Sequence, residues 1–204
     1  MFQHPAAVRA AFEDAAATLL ATIEKVEPHQ WELPGLGEWT VRELTAHTLR
    51  GSFATIEMYL AAEPSVDRLI VDASDYYRIA LTDPNVHARV AERGRTGGEQ
   101  LTDPVGEGEA TAQRVLALVA STADDDVVHT SVGQMMFIEY LATRAAEMAL
   151  HTLDIQRATD QMLELAPATS SMVVALIADL AEPITLLSAL TGRGTLPSDY
   201  NVLR

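Results

Sequence analysis

The chain of 204 residues is long enough to bury a sizeable core, and it carries a formal net charge of −15 from 29 acidic and 14 basic residues. Because polyanion binding needs clustered Lys and Arg, nucleic acid and anionic membrane surfaces are not expected partners. The sequence has no cysteine, which excludes disulfides, thiolate metal ligands and a protein thiol nucleophile. No signal peptide or membrane span is recognised, so we expect a cytoplasmic protein.

Two long helices are predicted in the first third of the chain. The composition is 48% hydrophobic with only 5% aromatic residues, and its abundant Ala and Leu favour helix. The first helix is predicted from Pro5 to about Val26. The second is predicted to begin at Thr40, which forms a T-x-x-E capping box with Glu43. One stripe of this second helix places a histidine among apolar and small residues: Leu44, His47, Gly51, Ala54 and Met58.

The middle of the chain predicts shorter elements. A short helix is predicted from Asp72 to Leu81, and another from Asp83-Pro84 to about Arg93. The glycines of residues 94–98 predict a flexible loop. A third long helix is predicted to begin at Asp103-Pro104 and to reach about Val119, with an extended piece after it at residues 127–132.

The fourth long helix is predicted from Gln134 to about Ala158, and it is apolar on most sides. One narrow stripe is polar: Tyr140, Arg144, Glu147, His151 and Asp154. A helix that is apolar on both flanks of such a stripe is expected to be buried. Since an unpaired buried charge is costly, the stripe must face a pocket, a metal or a satisfied network. A final helix is predicted from Pro167 to about Leu190, kinked at Pro183.

Glu147 and His151 are candidate metal ligands, because residues four apart share one helix face about 6 Å apart along the axis. His47 is the best candidate for a third ligand, since Gly51 and Ala54 beside it let another helix approach. Two histidines and one carboxylate suit zinc, and also nickel, iron or manganese, and leave a position open. Asp154 and Arg144 are then expected to orient the ligands. The pattern alone leaves other interpretations open. Glu147 and His151 could form a surface ion pair or a buried hydrogen bond, and His47 could be a histidine of the core.

Three segments resemble the mycothiol-dependent maleylpyruvate isomerase family, within the DinB-like bundle superfamily. They are Leu36–His47 (LGEWTVRELTAH), Glu147–Asp154 (EMALHTLD) and Ala189–Pro197 (ALTGRGTLP). The resemblance implies zinc or another divalent ion held by His47, Glu147 and His151, with mycothiol bound near the metal. It also implies an active-site arginine, for which Arg78 is the nearest match. The isomerase has a separate C-terminal α/β domain where this sequence predicts one helix and a tail, so maleylpyruvate is not the expected substrate.

The predicted fold is all-α: a DinB-like four-helix bundle with a long crossover connection and an extra C-terminal helix. Residues 1–160 are expected to form the metal-binding bundle, and residues 161–204 a helix and tail packed on it within the same domain. We expect a monomer or a homodimer.

The leading functional hypothesis is an enzyme that uses a divalent metal and a mycothiol-type thiol. It would act as an S-transferase or isomerase on a small electrophile. Arg78 or Arg144 would bind a carboxylate of that substrate. The alternatives are a metal-dependent hydrolase of esters or amides, and a non-catalytic module that binds a small molecule or has a regulatory role.

Overall fold

The computed structural model describes residues 4–203, apart from the side chains of Val86 and His87. Its helices are α1 (Pro5–Glu24), α2 (Val41–Leu49), α3 (Thr55–Leu60), α4 (Ala73–Ala80), α5 (Val86–Gln100), α6 (Pro104–Ser121), α7 (Phe137–Ala158), α8 (Pro167–Leu180) and α9 (Pro183–Leu190). A 3₁₀ turn covers Pro28–Gln30, and a π-helical turn, Arg50–Ala54, joins α2 directly to α3. Strands β1 (Val127–Thr130) and β2 (Gly133–Met136) pair as an antiparallel hairpin.

Four helical segments form the predicted bundle. Helix α1 packs against α6 and α7, and the continuous run of α2, the π turn and α3 packs against the same two helices. The rings of Phe12 and Phe53 meet edge to face in the core, with centroids 6.1 Å apart. The connection between α3 and α6 contains α4 and α5. The all-α bundle with a long crossover connection is therefore confirmed.

Helix α7 is buried over most of its length, as its apolar flanks predict. Phe137, Leu141 and Met148 have no exposed surface, and even Arg144 of the polar stripe is only 6% exposed. The helix contacts α1, α2, α4 and α8, so almost every face of it meets another element. The polar stripe is therefore buried at Tyr140 and Arg144 and half-buried at Glu147, His151 and Asp154.

Local capping chemistry sets several helix starts where the sequence predicts them. Glu43 N donates to Thr40 Oγ1 at 3.2 Å, and Thr40 N donates to the Glu43 carboxylate at 2.8 Å, which completes the capping box of α2. The side chains of Asp72 and Asp103 cap α4 and α6 in the same way, by accepting from backbone N–H groups.

The predicted flexible loop at residues 94–98 is wrong, because α5 continues through these glycines to Gln100. A Cβ atom at Gly94 would lie 2.5 Å from the Trp39 ring, and one at Gly98 would lie 2.6 Å from Glu43 Cγ. The glycines therefore allow α5 to pack closely on α2, and this contact offsets their low helix propensity.

The C-terminal part differs from a single kinked helix. Helix α8 ends at Leu180, Ala181 is extended with ψ 155°, and α9 starts at Pro183. The proline has no N–H to continue the ladder, so the chain breaks rather than bends. Helix α8 packs on α1 and α7, whereas the domain boundary at residue 160 remains a prediction. None of the helices described over residues 4–203 has the length and apolarity needed to cross a bilayer.

Candidate metal centre

One side chain of α2 meets two side chains of α7 that lie about 100 residues later in the sequence. His47, Glu147 and His151 each present a ligand atom, and these atoms all lie within 4.8 Å of one another. The two imidazole rings meet edge to face with centroids 5.0 Å apart. His151 Nε2 lies 3.5 Å from Glu147 Oε2. The structure thus brings together the residues that the sequence predicts as metal ligands.

The ring of His47 lies between a glycine and an indole. Gly51, one turn later in the helix, has no side chain, and a Cβ there would lie 3.9 Å from the imidazole. The indole of Trp39 covers another part of the ring, with centroids 4.7 Å apart. Trp39 Nε1 in turn donates to Ala91 O of α5 at 3.0 Å. Helix α5 therefore positions His47 indirectly, through the indole.

His151 is oriented by Asp154, as the sequence predicts. Its Nδ1 lies 3.3 Å from Asp154 Oδ2, one turn further along α7. A partner at Nδ1 directs Nε2 towards Glu147, in the arrangement that carboxylates commonly impose on metal-binding histidines. The side chains of His151 and Glu147 remain 14% and 27% exposed. The cluster is thus enclosed but accessible from solvent.

The cluster's charge states suit cation binding. Burial, together with the charge on His151, lowers the pKa of His47 to about 4, so its ring is neutral at pH 7. Burial opposes ionisation of Glu147, but His151, Arg144 and His47 outweigh it and lower the pKa of Glu147 to about 2. Burial likewise opposes charge on His151, but hydrogen bonds with Asp154 and Glu147 raise its pKa to about 9. A cation would therefore replace a single proton.

Arg144 lies deeper in α7, beside the cluster. Its Nη1 donates to Gly51 O at 2.9 Å and its Nε to Thr143 Oγ1 at 2.9 Å. The guanidinium also lies over the rings of Tyr140 and Tyr76, with its Cζ 4.9 and 5.6 Å from their centroids. These contacts leave Nη2 without a hydrogen-bond partner among the described residues.

The structure does not bring Arg78 to the cluster. Its Nη2 donates to Asp179 of α8, at 2.7 Å to the carbonyl and 3.0 Å to the carboxylate. Nothing in the described contacts of Arg78 joins it to the three candidate ligands. The preceding residue is the one that reaches them: Tyr77 Oη lies 3.3 Å from Glu147 Oε1.

Sequence reasoning missed Tyr77 and the role of Trp39 against His47. No spacing rule connects α4 with α7, because Tyr77 meets Glu147 only through the packing of the two helices. The position of Trp39 directly before the capped helix was the one available signal, but it does not reveal the contact with the imidazole.

The donor set fits a first-row divalent cation. Two imidazoles and one carboxylate are ligands that zinc, nickel, iron and manganese accept. Three protein ligands leave room for an exogenous molecule, as in catalytic rather than structural zinc sites. His47, Glu147 and His151 are thus chemically and geometrically suited to hold such an ion.

Comparison with known proteins points to the same group of helical proteins. The family described as mycothiol maleylpyruvate isomerase N-terminal domain matches residues 12–156, a span that includes His47, Glu147 and His151. No curated protein and no solved structure matches the chain. Since the match covers well over half of the sequence, the chain belongs to the mycothiol maleylpyruvate isomerase N-terminal domain family.

Proposed function

We propose that this protein is a metal-dependent enzyme that uses a low-molecular-weight thiol of the mycothiol type to transfer or isomerise a small electrophile. The observation that carries the proposal is the cluster of three ligand atoms within 4.8 Å, enclosed but accessible. Family membership supports the thiol as co-reactant. Zinc is the metal we expect first, with nickel, iron and manganese as alternatives.

The nucleophile must come with the thiol, since the sequence has no cysteine. A divalent ion held by the three ligands would favour the thiolate form of an incoming thiol at neutral pH. Asp154 keeps His151 oriented with Nε2 towards the site, and the Trp39 indole keeps His47 in place. The chain thus contributes a preorganised set of ligands.

Arginines beside the cluster support an anionic substrate. Arg144 Nη2 has no hydrogen-bond partner within residues 4–203. The charges of Arg144 and Arg93 both act on His47. Arg50 follows His47 by one turn and lies close enough to Arg93 for the two charges to interact. Neither Arg50 nor Arg93 has an ion pair in the part of the chain that the structure describes, whereas many other arginines pair with carboxylates: Arg9, Arg42, Arg78, Arg89, Arg95, Arg114 and Arg157.

This positive charge stands out in a chain with a net charge of −15. An anion approaching the protein is repelled over most of the surface and attracted at these guanidinium groups. A carboxylate-bearing electrophile, such as an α,β-unsaturated acid, therefore suits the site. The thiolate would add to the β-carbon, and the π electrons of the double bond would move to the α-carbon next to the carboxylate. This enolate would either take up the proton that the thiol lost, which gives the stable adduct, or rotate about the new single bond and expel the thiolate, which restores the double bond in the other geometry.

The test is turnover of maleate by the zinc-loaded protein, with and without mycothiol, followed as loss of maleate and formation of fumarate or of the thiol adduct. We expect turnover that requires both zinc and thiol. His47→Ala should reduce it by at least about 100-fold, because a ligand is lost. The control is His29→Ala, which removes an exposed histidine that pairs with Glu27 and is not one of the three candidate ligands.

Two results would contradict the proposal. A zinc-loaded protein with no affinity for mycothiol or any other low-molecular-weight thiol would exclude thiol chemistry. Hydrolysis of a simple ester such as p-nitrophenyl acetate in the absence of thiol, lost in His47→Ala, would indicate a hydrolase instead.

A further inference from the structure

The two carboxylate oxygens of Glu147 face different neighbours. Oε2 lies 3.5 Å from Nε2 of His151, one of the two histidines of the cluster. Oε1 lies 3.3 Å from Tyr77 Oη, on the side of α4. The two oxygens thus have different partners, His151 at Oε2 and the Tyr77 hydroxyl at Oε1.

The position of Tyr77 is set by its own helix. The residue is 5% exposed, and its hydroxyl oxygen also lies 3.1 Å from Thr143 O, one turn before Glu147 in α7, so the single phenol proton has two acceptors within reach. Helix α4 is attached to α7 a second time, where Ala73 N donates to Glu139 Oε2 at 3.3 Å. Because both attachments fix α4 on α7, the phenol is held against the carboxylate rather than placed there by a flexible loop.

We propose that Tyr77 is a positioning residue that keeps Glu147 bound to the metal through one oxygen only. The proposal rests on the metal site proposed above. A phenol has one proton to donate, and an anionic carboxylate accepts it more strongly than a neutral carbonyl does. When Oε2 binds the cation, Oε1 stays with Tyr77 and does not become a second ligand atom. The positions thereby left open are available to thiol and substrate.

The alternative is that the Tyr77 hydroxyl only satisfies the Thr143 carbonyl and helps α4 to pack. The two roles of Tyr77 predict different effects of its substitution on metal coordination. A packing role changes stability alone, whereas a positioning role changes the coordination number. Removal of the hydroxyl would then free Oε1 to bind the ion as well.

The experiment uses Co²⁺ as the probe, because its visible absorption weakens as coordination number rises. We compare the wild type with Tyr77→Phe and, as a matched control, Tyr59→Phe, whose ring packs on Tyr140. In Tyr77→Phe we expect a weaker visible band and a Kd for Co²⁺ raised by about tenfold. Tyr59→Phe should match the wild type in both.

The outcomes separate the two proposals. A Tyr77→Phe spectrum and Kd identical to wild type would contradict the positioning role of Tyr77 but not the metal site. A wild-type protein that binds neither Co²⁺ nor Zn²⁺ would contradict both proposals.

If Tyr77→Phe does not fold, infrared difference spectra of the wild type with and without Zn²⁺ test the positioning role instead. A carboxylate stretch typical of two-oxygen coordination would contradict the proposal, and a one-oxygen pattern would support it.

Discussion

At the scale of single residues, the charged groups around Glu147 determine its protonation state. The carboxylate lies next to His151, Arg144 and His47, all of which favour its ionised form over the opposing effect of burial. Arg144 keeps its own charge in the interior because two tyrosine rings and the Gly51 carbonyl surround it. Removing one charged side chain of this cluster leaves the charge of its partner buried and unpaired. Test substitutions of these residues should therefore keep the charge where possible.

A pair of arginine substitutions tests which guanidinium meets the substrate. Arg144→Lys keeps the charge but loses the planar fork, so we expect KM for maleate to rise by about tenfold or more. Arg78→Lys should leave KM within about twofold, since Arg78 pairs with Asp179. Steady-state kinetics on zinc-loaded protein measure both values. Equal effects of the two substitutions would contradict this assignment, provided both variants bind zinc as the wild type does.

At the scale of elements, two departures from regular helix packing shape the site. In the π turn Arg50–Ala54, Thr55 N donates to Arg50 O, so the Gly51 carbonyl accepts from Arg144 Nη1 and Thr55 Oγ1 instead. The second departure is the close approach of α5 at Gly94 to the Trp39 indole, which covers His47. Both irregularities lie next to a candidate metal ligand.

Gly94→Ala tests the second of these features. Its Cβ would lie 2.5 Å from the Trp39 ring, so helix α5 must shift, and we expect a loss of about 1–3 kcal/mol in the free energy of unfolding. Zinc affinity should fall as well, because the indole that covers His47 is displaced. Gly97→Ala is the control, since it makes the same change in the same helix with a milder contact, 3.3 Å from Ala46 Cβ.

Urea unfolding of the metal-free variants measures both free energies. The gain in helix propensity is common to the two substitutions and cancels in the comparison. A Gly94→Ala protein as stable as Gly97→Ala would show that the packing at Trp39 does not constrain α5.

At the scale of the whole molecule, the bundle has a continuous apolar core that does not include the metal ligands. Fully buried side chains from α1, α2, the π turn, α3 and α7 contact one another: Phe12, Leu19, Leu44, Phe53, Ile56, Leu141 and Met148. Since this core supplies the driving force for folding, we expect the metal-free protein to be folded. A metal then adds stability by binding only the native state.

The stabilisation of the fold by zinc should increase with pH. Between pH 4 and 9, His47 is neutral and Glu147 is ionised, but His151 with its pKa of about 9 must release one proton before it binds the ion. Apparent affinity therefore falls about tenfold per unit as pH decreases. At saturating zinc, the added stability falls by about 1.4 kcal/mol per pH unit.

In the metal-free protein, we expect the contribution of His151 to stability to decrease with rising pH. The raised pKa of His151 stabilises the fold fully below its ordinary value of 6.5, and this contribution is lost as pH rises through about 9. Thermal unfolding at pH 6, 7 and 8, with and without zinc, separates the two effects. A zinc-induced rise in Tm that does not change over this range would contradict the protonation of His151 in the metal-free state.

The sequence by itself determined what depends on neighbours along the chain. The capping boxes and proline positions predicted most helix starts, and the four-residue spacing placed Glu147 and His151 on one face of a buried helix, because these features are local. His47 was the best candidate for their partner because of its small neighbours, and the family resemblance supplied most of the support for it. Spacing alone could not select it, since residues 47 and 147 meet only in the folded bundle.

Tertiary structure decided the rest. Helix α5 runs through glycines that favour a loop locally, because their contacts with α2 outweigh propensity. Tyr77 reaches Glu147, while Arg78 turns to Asp179, because α4 packs between α7 and α8 and neighbouring residues of a helix face different directions. Three predicted metal ligands thus became a cluster with a defined set of neighbours only when helices distant in sequence were packed together.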